Sequence, residues 1–205
     1  MKAKAAEKLE KDRLIVGISG ASGVAYGIRL LEALTALQIE SHLVVTPAGQ
    51  MTVGYETALK PKDVAAKADV SYAAADIAAP IASGSFKTKG MIVAPCSVRS
   101  WSEIATGVTT NLLTRAADVT LKERRPLILL IREAPLHVGH LRSLTQLAEM
   151  GAIVLPPAPA FYAEPKTVAD IVDQMVGRML DLLGYDWPRV KRWGEDLAKG
   201  RRRKR

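Results

Sequence analysis

From Arg13 the chain reads Leu14-Ile15-Val16-Gly17-Ile18, apolar at odd and even positions alike, the pattern of a strand buried on both faces. Ser19-Gly20-Ala21-Ser22-Gly23 breaks it, and Val24, Ile28, Leu31 and Leu34 then recur at helical spacing. The same order of strand, turn and helix returns three times. Residues 42–45 lead into Thr46-Pro47 and a helical stretch towards Glu56, residues 91–94 into Pro95-Cys96-Ser97 and a helix, and residues 127–131 into Arg132-Glu133 and a helix from about His137. Residues 152–155 give a last strand, a proline-rich extended segment runs from Pro156 to Tyr162, and a helix covers about 168–183. Residues 60–89 lack strand character and read as a helix followed by a long excursion through Ala82-Ser83-Gly84-Ser85, of a length that tends to be functional. This alternation predicts an α/β fold: a three-layer sandwich whose parallel, Rossmann-like (flavodoxin-like) sheet carries helices on both faces.

Composition agrees and narrows the class. The 205 residues are 48% hydrophobic and 24% charged, enough for one domain with a real core, so disorder, collagen and coiled coil are excluded. The expected organisation is an N-terminal extension at 1–12, the α/β domain at 13–185, and a C-terminal segment at 186–205 with a basic tail. Of the net charge of +8, six positive charges fall in the last seven residues, so the body is nearly neutral. A terminal Lys/Arg run without interleaved aromatics reads as a solvated tail before a binding arm, which argues against nucleic acid as a partner. No apolar leader and no run of about 18 uncharged apolar residues is present, so neither secretion nor membrane spanning is expected. The single cysteine, Cys96, fits a reducing compartment, and the cytoplasm is the expected location.

In an open α/β sheet ligands sit beyond the carboxyl ends of the strands. The residues there are small hydroxyls and glycines with a few charges: Ser19 to Gly23, Thr46, Ser97 to Ser100, Arg132 and Glu133. Glycine turns that open helices bring backbone N–H groups close to a phosphate, so a phosphorylated ligand is the first inference; tight strand–helix packing explains the same turn equally well. The spacing is neither a Walker A loop nor G-x-G-x-x-G, which lowers the weight of ATP hydrolysis and of NAD binding. Arg115 and Lys122, seven apart, share a helix face with Arg124 and Arg125 following; these are either a solvated helix end or a second phosphate site. His137 and His140 are too close for a helical i, i+4 pair and lack a third ligand, so no metal site is expected. Cys96 has no neighbouring base in sequence and is expected to pack.

Taken together, Gly-Ile-Ser-Gly-Ala-Ser-Gly at 17–23, Ala-Ser-Gly-Ser-Phe at 82–86, Ala-Pro-Cys-Ser at 94–97, Leu-Leu-Thr-Arg-Ala-Ala-Asp-Val-Thr-Leu-Lys-Glu-Arg-Arg-Pro-Leu at 112–127, Arg-Glu-Ala-Pro-Leu at 132–136 and Pro-Ala-Phe-Tyr at 159–162 resemble the UbiX-type flavin prenyltransferases, long described as aromatic-acid decarboxylases. The resemblance runs from about Arg13 to Trp193. It implies that the dimethylallyl group of dimethylallyl phosphate is joined to N5 and C6 of reduced FMN without a metal. The product, prenylated FMN, then serves a separate UbiD-type decarboxylase.

Carried over by position, the resemblance puts FMN against Gly20, Ala21, Ser22, Thr46, Ser97, Val98, Arg99, Ser100 and Arg132. It puts the prenyl phosphate against Lys122, Tyr162 and Arg178 with Arg115 and Ser85 nearby, some of these reaching across from a neighbouring subunit of a homo-oligomer, a dodecamer in the family. Ser22, Glu56 and Glu133 match positions implicated in proton handling. Trp193 matches an aromatic beside the prenyl group, where a ring face stabilises an allylic cation; a tail tryptophan covering an apolar patch is the alternative. Two departures bear on affinity: Thr46-Pro47-Ala48-Gly49 replaces the common Ser-Lys-Ala-Ala, and Ala163-Glu164-Pro165 brings a carboxylate next to Tyr162. Two other functions stay open at this point. A flavin-dependent peptidyl-cysteine-type decarboxylase would need His42 as its catalytic histidine, and a flavin-storage or nucleic-acid-binding protein would use the arginine tail.

Overall fold

The computed structural model describes residues 11–195. One sheet is formed by β1 (Arg13–Ile18), β2 (Glu40–Val45), β3 (Val70–Tyr72), β4 (Met91–Cys96), β5 (Leu127–Ile131) and β6 (Ile153–Leu155). All pairings are parallel, in the order 3-2-1-4-5-6. Between and after the strands run α1 (Val24–Ala36), α2 (Pro47–Glu56), α3 (Pro61–Ala65), α4 (Val98–Thr106), α5 (Leu112–Lys122), α6 (Val138–Glu149) and α7 (Val168–Asp181). Without its edge strand β3 the sheet would keep flavodoxin order, 2-1-3-4-5; β3 extends it to the doubly wound order of dinucleotide-binding folds.

The two-sided apolar strands build three layers. Leu14, Val16 and Ile18 pack with Leu30 and Leu34 of α1 and with Val176 and Met179 of α7. Ile15, Met91, Val93 and Leu129 face the other way, onto Trp101 of α4, Leu113 and Ala116 of α5, and Leu147 of α6. Each such leucine or valine taken fully out of water contributes about 1.5–3 kcal/mol, so the sheet is the rigid platform on which the strand ends are held.

Residues 60–89, expected to contain a helix and no strand, contain both α3 and β3. Val70-Ser71-Tyr72 is three residues long, lies at the open edge and pairs with β2 alone, so neither alternation nor an apolar run is imposed on it. The rest of the excursion is pinned to the body by Arg125, whose guanidinium donates to the carbonyls of Phe86 (2.8 Å) and Gly84 (2.7 Å). The boundaries expected at 12 and 185 are both crossed by contacts. The Tyr185 hydroxyl donates to Asp12 Oδ2 at 2.9 Å, and Trp187 lies in the α1/α7 core with the Arg29 guanidinium 5.7 Å from its ring centre. The basic run at 199–205 and residues 1–10 fall outside the described residues. Among the described residues no helix is long and apolar enough to cross a membrane.

The strand order reverses between β1 and β4, which leaves a crevice beyond their carboxyl ends. Ser19 joins the two ends there: its hydroxyl donates to Pro95 O (2.9 Å) and accepts from Ser97 N–H (2.7 Å).

Candidate active site

At this reversal point opens a cavity of about 650 Å³, a size typical of small-molecule sites. All nine positions expected to contact FMN line it: Gly20, Ala21 and Ser22 after β1, Thr46 after β2, Ser97, Val98, Arg99 and Ser100 after β4, and Arg132 after β5. Glu133 lines it as well. Two hydroxyls are fixed by capping. Thr46 caps α2, accepting Gly49 N–H at 3.1 Å, and Ser97 caps α4, accepting Ser100 N–H at 3.4 Å and donating to Ser100 Oγ at 3.2 Å. Replacing the lysine of the common pattern by Pro47 therefore leaves the Thr46 cap in place and puts a proline at the first position of α2, where its missing N–H costs nothing.

The start of α1 is completed differently. Gly23 sits at φ 103°, a conformation open to glycine, and offers no capping side chain. The carboxylate of Glu56, at the far end of α2, takes its place, accepting from Gly23 N–H (2.9 Å) and Val24 N–H (3.1 Å) and from the Ser22 hydroxyl. Partial burial acts to raise the Glu56 pKa, but the Ser22 hydroxyl, these two amides and the charge of Arg132 outweigh it and hold the carboxyl below its ordinary range. Ser22, on the cavity wall, thus connects the space inside to an ionised carboxylate behind it.

Part of the wall was not found from sequence: Ala74 and Ala75 after β3, and Glu103, Thr110 and Asn111 where α4 gives way to α5. The two alanines follow the unseen strand. Glu103 binds Arg99 Nε (2.8 Å) and the Thr110 hydroxyl (2.6 Å); despite desolvation, hydrogen bonds from Thr110 and Arg99 keep its pKa low. Asn111 with Thr114 three residues on is a capping pattern legible in sequence, and it would have marked the start of α5. His42 stands apart from the cavity, 2% exposed, hydrogen-bonded to Glu40 and Tyr72 at 2.8 Å each and edge-on to Phe86. It cannot meet a ligand there. Cys96 is buried, and desolvation pushes its thiol far up.

A second cleft, of about 570 Å³, brings together Tyr162, Arg178 and Trp193, with the two rings edge to face at 5.4 Å. Glu164 lines an adjoining hollow with Lys166 and Arg189, which shares Gln174 and Lys191 with the cleft, so this departure from the common pattern puts a carboxylate beside the cleft and not on its wall. The other expected contacts of the prenyl phosphate are elsewhere. Lys122 pairs with Glu123, and a Cβ placed on Gly84 would stand 2.9 Å from Lys122 Nζ, so Lys122 lies beside the Ser83-Gly84-Ser85 turn. Arg115 pairs with Asp118 at 2.7 Å. A single protomer therefore gathers Tyr162, Arg178 and Trp193 in one place and Lys122 with the Ser85 turn in another, and does not join the two groups.

The family model described as Flavoprotein matches residues 2–180. Flavin prenyltransferase UbiX of Escherichia coli K12 is 54% identical over 177 residues, covering 86% of this chain and 94% of that protein. The chain belongs to the flavin prenyltransferases. Among solved structures, AnUbiX (PadA1) in complex with FMN and dimethylallyl pyrophosphate superimposes on this prenyltransferase with a TM-score of 0.89 at 44% identity, covering 90% of this chain and 98% of that one. A dodecameric FMN-dependent UbiX-like decarboxylase from Escherichia coli O157:H7 gives 0.86 at 47% identity, covering 88% and 98%. As a flavin prenyltransferase, the chain is a flavoprotein enzyme, and the cavity lined by the residues expected to contact FMN lies at the reversal point of its sheet.

Proposed function

We propose that this prenyltransferase joins the dimethylallyl group of dimethylallyl phosphate to N5 and C6 of reduced FMN. The observation that carries the reading is one cavity in which hydroxyls, helix starts and guanidinium groups converge while Ser22 connects to the ionised Glu56. Its donor set fits FMN: small residues leave room for a flat ring system, and the start of α4 presents N–H groups suited to a phosphate. When bound, reduced FMN supplies the nucleophilic atoms of the reaction.

The chain's own groups have three tasks. Arg178, Tyr162 and Lys122 hold the phosphate of the donor and stabilise the charge that builds on its oxygen as the C–O bond breaks and the electron pair leaves with phosphate. Trp193 presents a ring to the allylic carbon as it becomes electron-poor. Ring closure delivers a proton to the isoprenoid double bond and removes one from C6; Glu133 on the cavity wall and Glu56 through Ser22 are the groups assigned to these transfers.

Because one protomer holds Lys122, Ser85 and Arg115 away from the Tyr162 cleft, we assign their approach to a neighbouring subunit of a homo-oligomer, a dodecamer like the relative from Escherichia coli O157:H7. The product passes to a UbiD-type decarboxylase, and the unpaired buried thiol of Cys96 supports a cytoplasmic setting. The test is anaerobic incubation with reduced FMN and either dimethylallyl phosphate or the pyrophosphate. A flavin heavier by one C5 unit, formed faster from the monophosphate, is expected; unchanged flavin overturns the reading, and a preference for the pyrophosphate overturns the choice of donor.

A further inference from the structure

The segment that leaves α7 folds back along the same helix, and α7 carries a track for it. Gln174, Gly177 and Asp181 fall at i, i+3 and i+7, on one face. The Gln174 side chain donates to Lys191 O and accepts from Lys191 N–H, both at 3.0 Å, so the backbone of the strap is paired in both directions. One turn along, a Cβ on Gly177 would stand 1.8 Å from Val190 Cγ2, so the glycine is a notch into which Val190 fits. Another turn along, Asp181 takes both terminal nitrogens of Arg192 at 3.0 and 2.8 Å, and Arg192 also reaches Asp186 at 2.7 Å. Trp187, 6% exposed, anchors the near end.

Two links run from this seated strap to the second cleft. Lys191 Nζ donates to Ala163 O at 2.8 Å, next to Tyr162, and Trp193 sets its ring edge-on to Tyr162. Tyr162 and Trp193 are 44% and 70% exposed, so packing in the core does not fix them. We infer that the strap over residues 187–193, seated in the Gly177 notch, is a positioning device that sets Tyr162 and Trp193 for the prenyl donor before it binds. This rests on the prenyl-transfer reading, which gives that aromatic pair its substrate. Ordering two exposed side chains in advance removes that cost from donor binding and from the bond-breaking step.

Gly177→Ala fills the notch. Alanine is the better helix former, so any loss it causes is not loss of α7. Adding Val190→Ala removes the colliding methyl and leaves the new Cβ 3.3 Å from both the Cβ of residue 190 and Trp187 Cδ1, distances that shifts of a few tenths of an ångström accommodate. In the FMN-loaded oligomer, Gly177→Ala is expected to lower kcat/KM for dimethylallyl phosphate roughly a hundredfold, the scale of a misplacement of about an ångström, with FMN affinity unchanged. Limited trypsin digestion read by mass should show faster cleavage after Lys191 and Arg192 in the same samples. Gly177→Ala/Val190→Ala should recover both readouts. A Gly177→Ala enzyme whose strap is released to trypsin while its donor kinetics stay normal, or whose defect the second substitution does not relieve, overturns the inference. A wild-type protein that transfers no prenyl group overturns the functional reading instead, and the trypsin pattern still reports whether the strap occupies the notch.

Discussion

Glu56→Gln is the most informative single change, because every neighbour of the carboxylate is a donor. The native group accepts from Gly23 N–H, Val24 N–H and the Ser22 hydroxyl. The amide has one acceptor oxygen, which can keep the two backbone N–H groups, and its NH₂ then faces a hydroxyl that must turn round. The change replaces charge-assisted hydrogen bonds, worth about 1.5–3 kcal/mol, by neutral ones of about 0.5–1.5 kcal/mol, and removes a negative charge from a helix start, worth about 0.3–1 kcal/mol. Glu56 is exposed, so solvent screens every one of these terms and the total loss is expected to fall well below their sum, at about 1–2 kcal/mol. In a domain of this length that lowers Tm by roughly 2–8 °C. Activity should fall much further, about 10²–10⁴-fold, if Glu56 moves a proton. Single-turnover prenylation under anaerobic conditions, FMN titration by fluorescence and a thermal melt separate the two effects. Ser22→Ala is the control: it leaves both backbone bonds to Glu56 intact and should lose activity with little change in Tm. A Glu56→Gln enzyme of nearly normal turnover, or one whose lost turnover follows lost FMN binding, would refute the proton role and leave Glu56 a cap alone.

Four other outcomes are expected. Asp173 is 8% exposed and holds Arg29 at 2.6 Å between α7 and α1, so Asp173→Ala should cost about 2–4 kcal/mol in urea unfolding, somewhat under a fully buried pair because Arg29 stays partly wet; a loss below about 1 kcal/mol would show the pair to be unimportant. Glu32, Glu56 and Asp69 are held below their ordinary pKa values, since bonds to Lys67 and Arg29, to Ser22 and the α1 amides, and to Ser41 each outweigh partial desolvation. The unfolded chain takes up protons at the ordinary values and the folded chain only at lower pH, so stability should be level from neutrality to about pH 5 and decline below it; a decline starting near neutrality would contradict this. Cys96, buried with its thiol pushed up, should not react with a thiol reagent until the protein is unfolded in denaturant, and rapid labelling of the folded protein would contradict its placement. Inactive Lys122→Ala and Arg178→Ala proteins, unfolded and refolded together, should regain part of the activity if these residues meet across subunits; none regained, with mixed oligomers verified by mass, would place both in one subunit's site.

Physical reasons decide which parts of this molecule could be read in advance. β4 and β5 could be read from end to end and β1 and β2 through their apolar stretches at 14–18 and 43–45, because burial on two faces favours an apolar residue at every position; β3 could not, since an edge strand of three residues with the exposed Ser71 at its centre need bury neither face. Gly20 to Ser22, Thr46, Ser97 to Ser100 and Arg132 stand out by their place after strands and are assigned to FMN by resemblance, and they share one cavity. Glu56 was reached by resemblance alone, because no periodicity indicates that the last residue of α2 bends back to the start of α1. Ala74 and Ala75 went unseen together with β3, and the Glu103–Thr110 contact depends on how two helices meet. Nor does a linear sequence say whether Lys122 and Arg178, which line different clefts of one protomer, meet across subunits.

The carboxylate at the head of α1 has a consequence for ligand choice. Nucleotide-binding sheets of this strand order seat a diphosphate on the amides that open the first crossover helix. Here Gly23 and Val24 already spend those amides on Glu56, so an incoming diphosphate bridge would meet a fixed like charge. NAD-type molecules are therefore expected to bind more weakly than a mononucleotide, a discrimination that Glu56 would exert on the phosphates before any side chain reads the base.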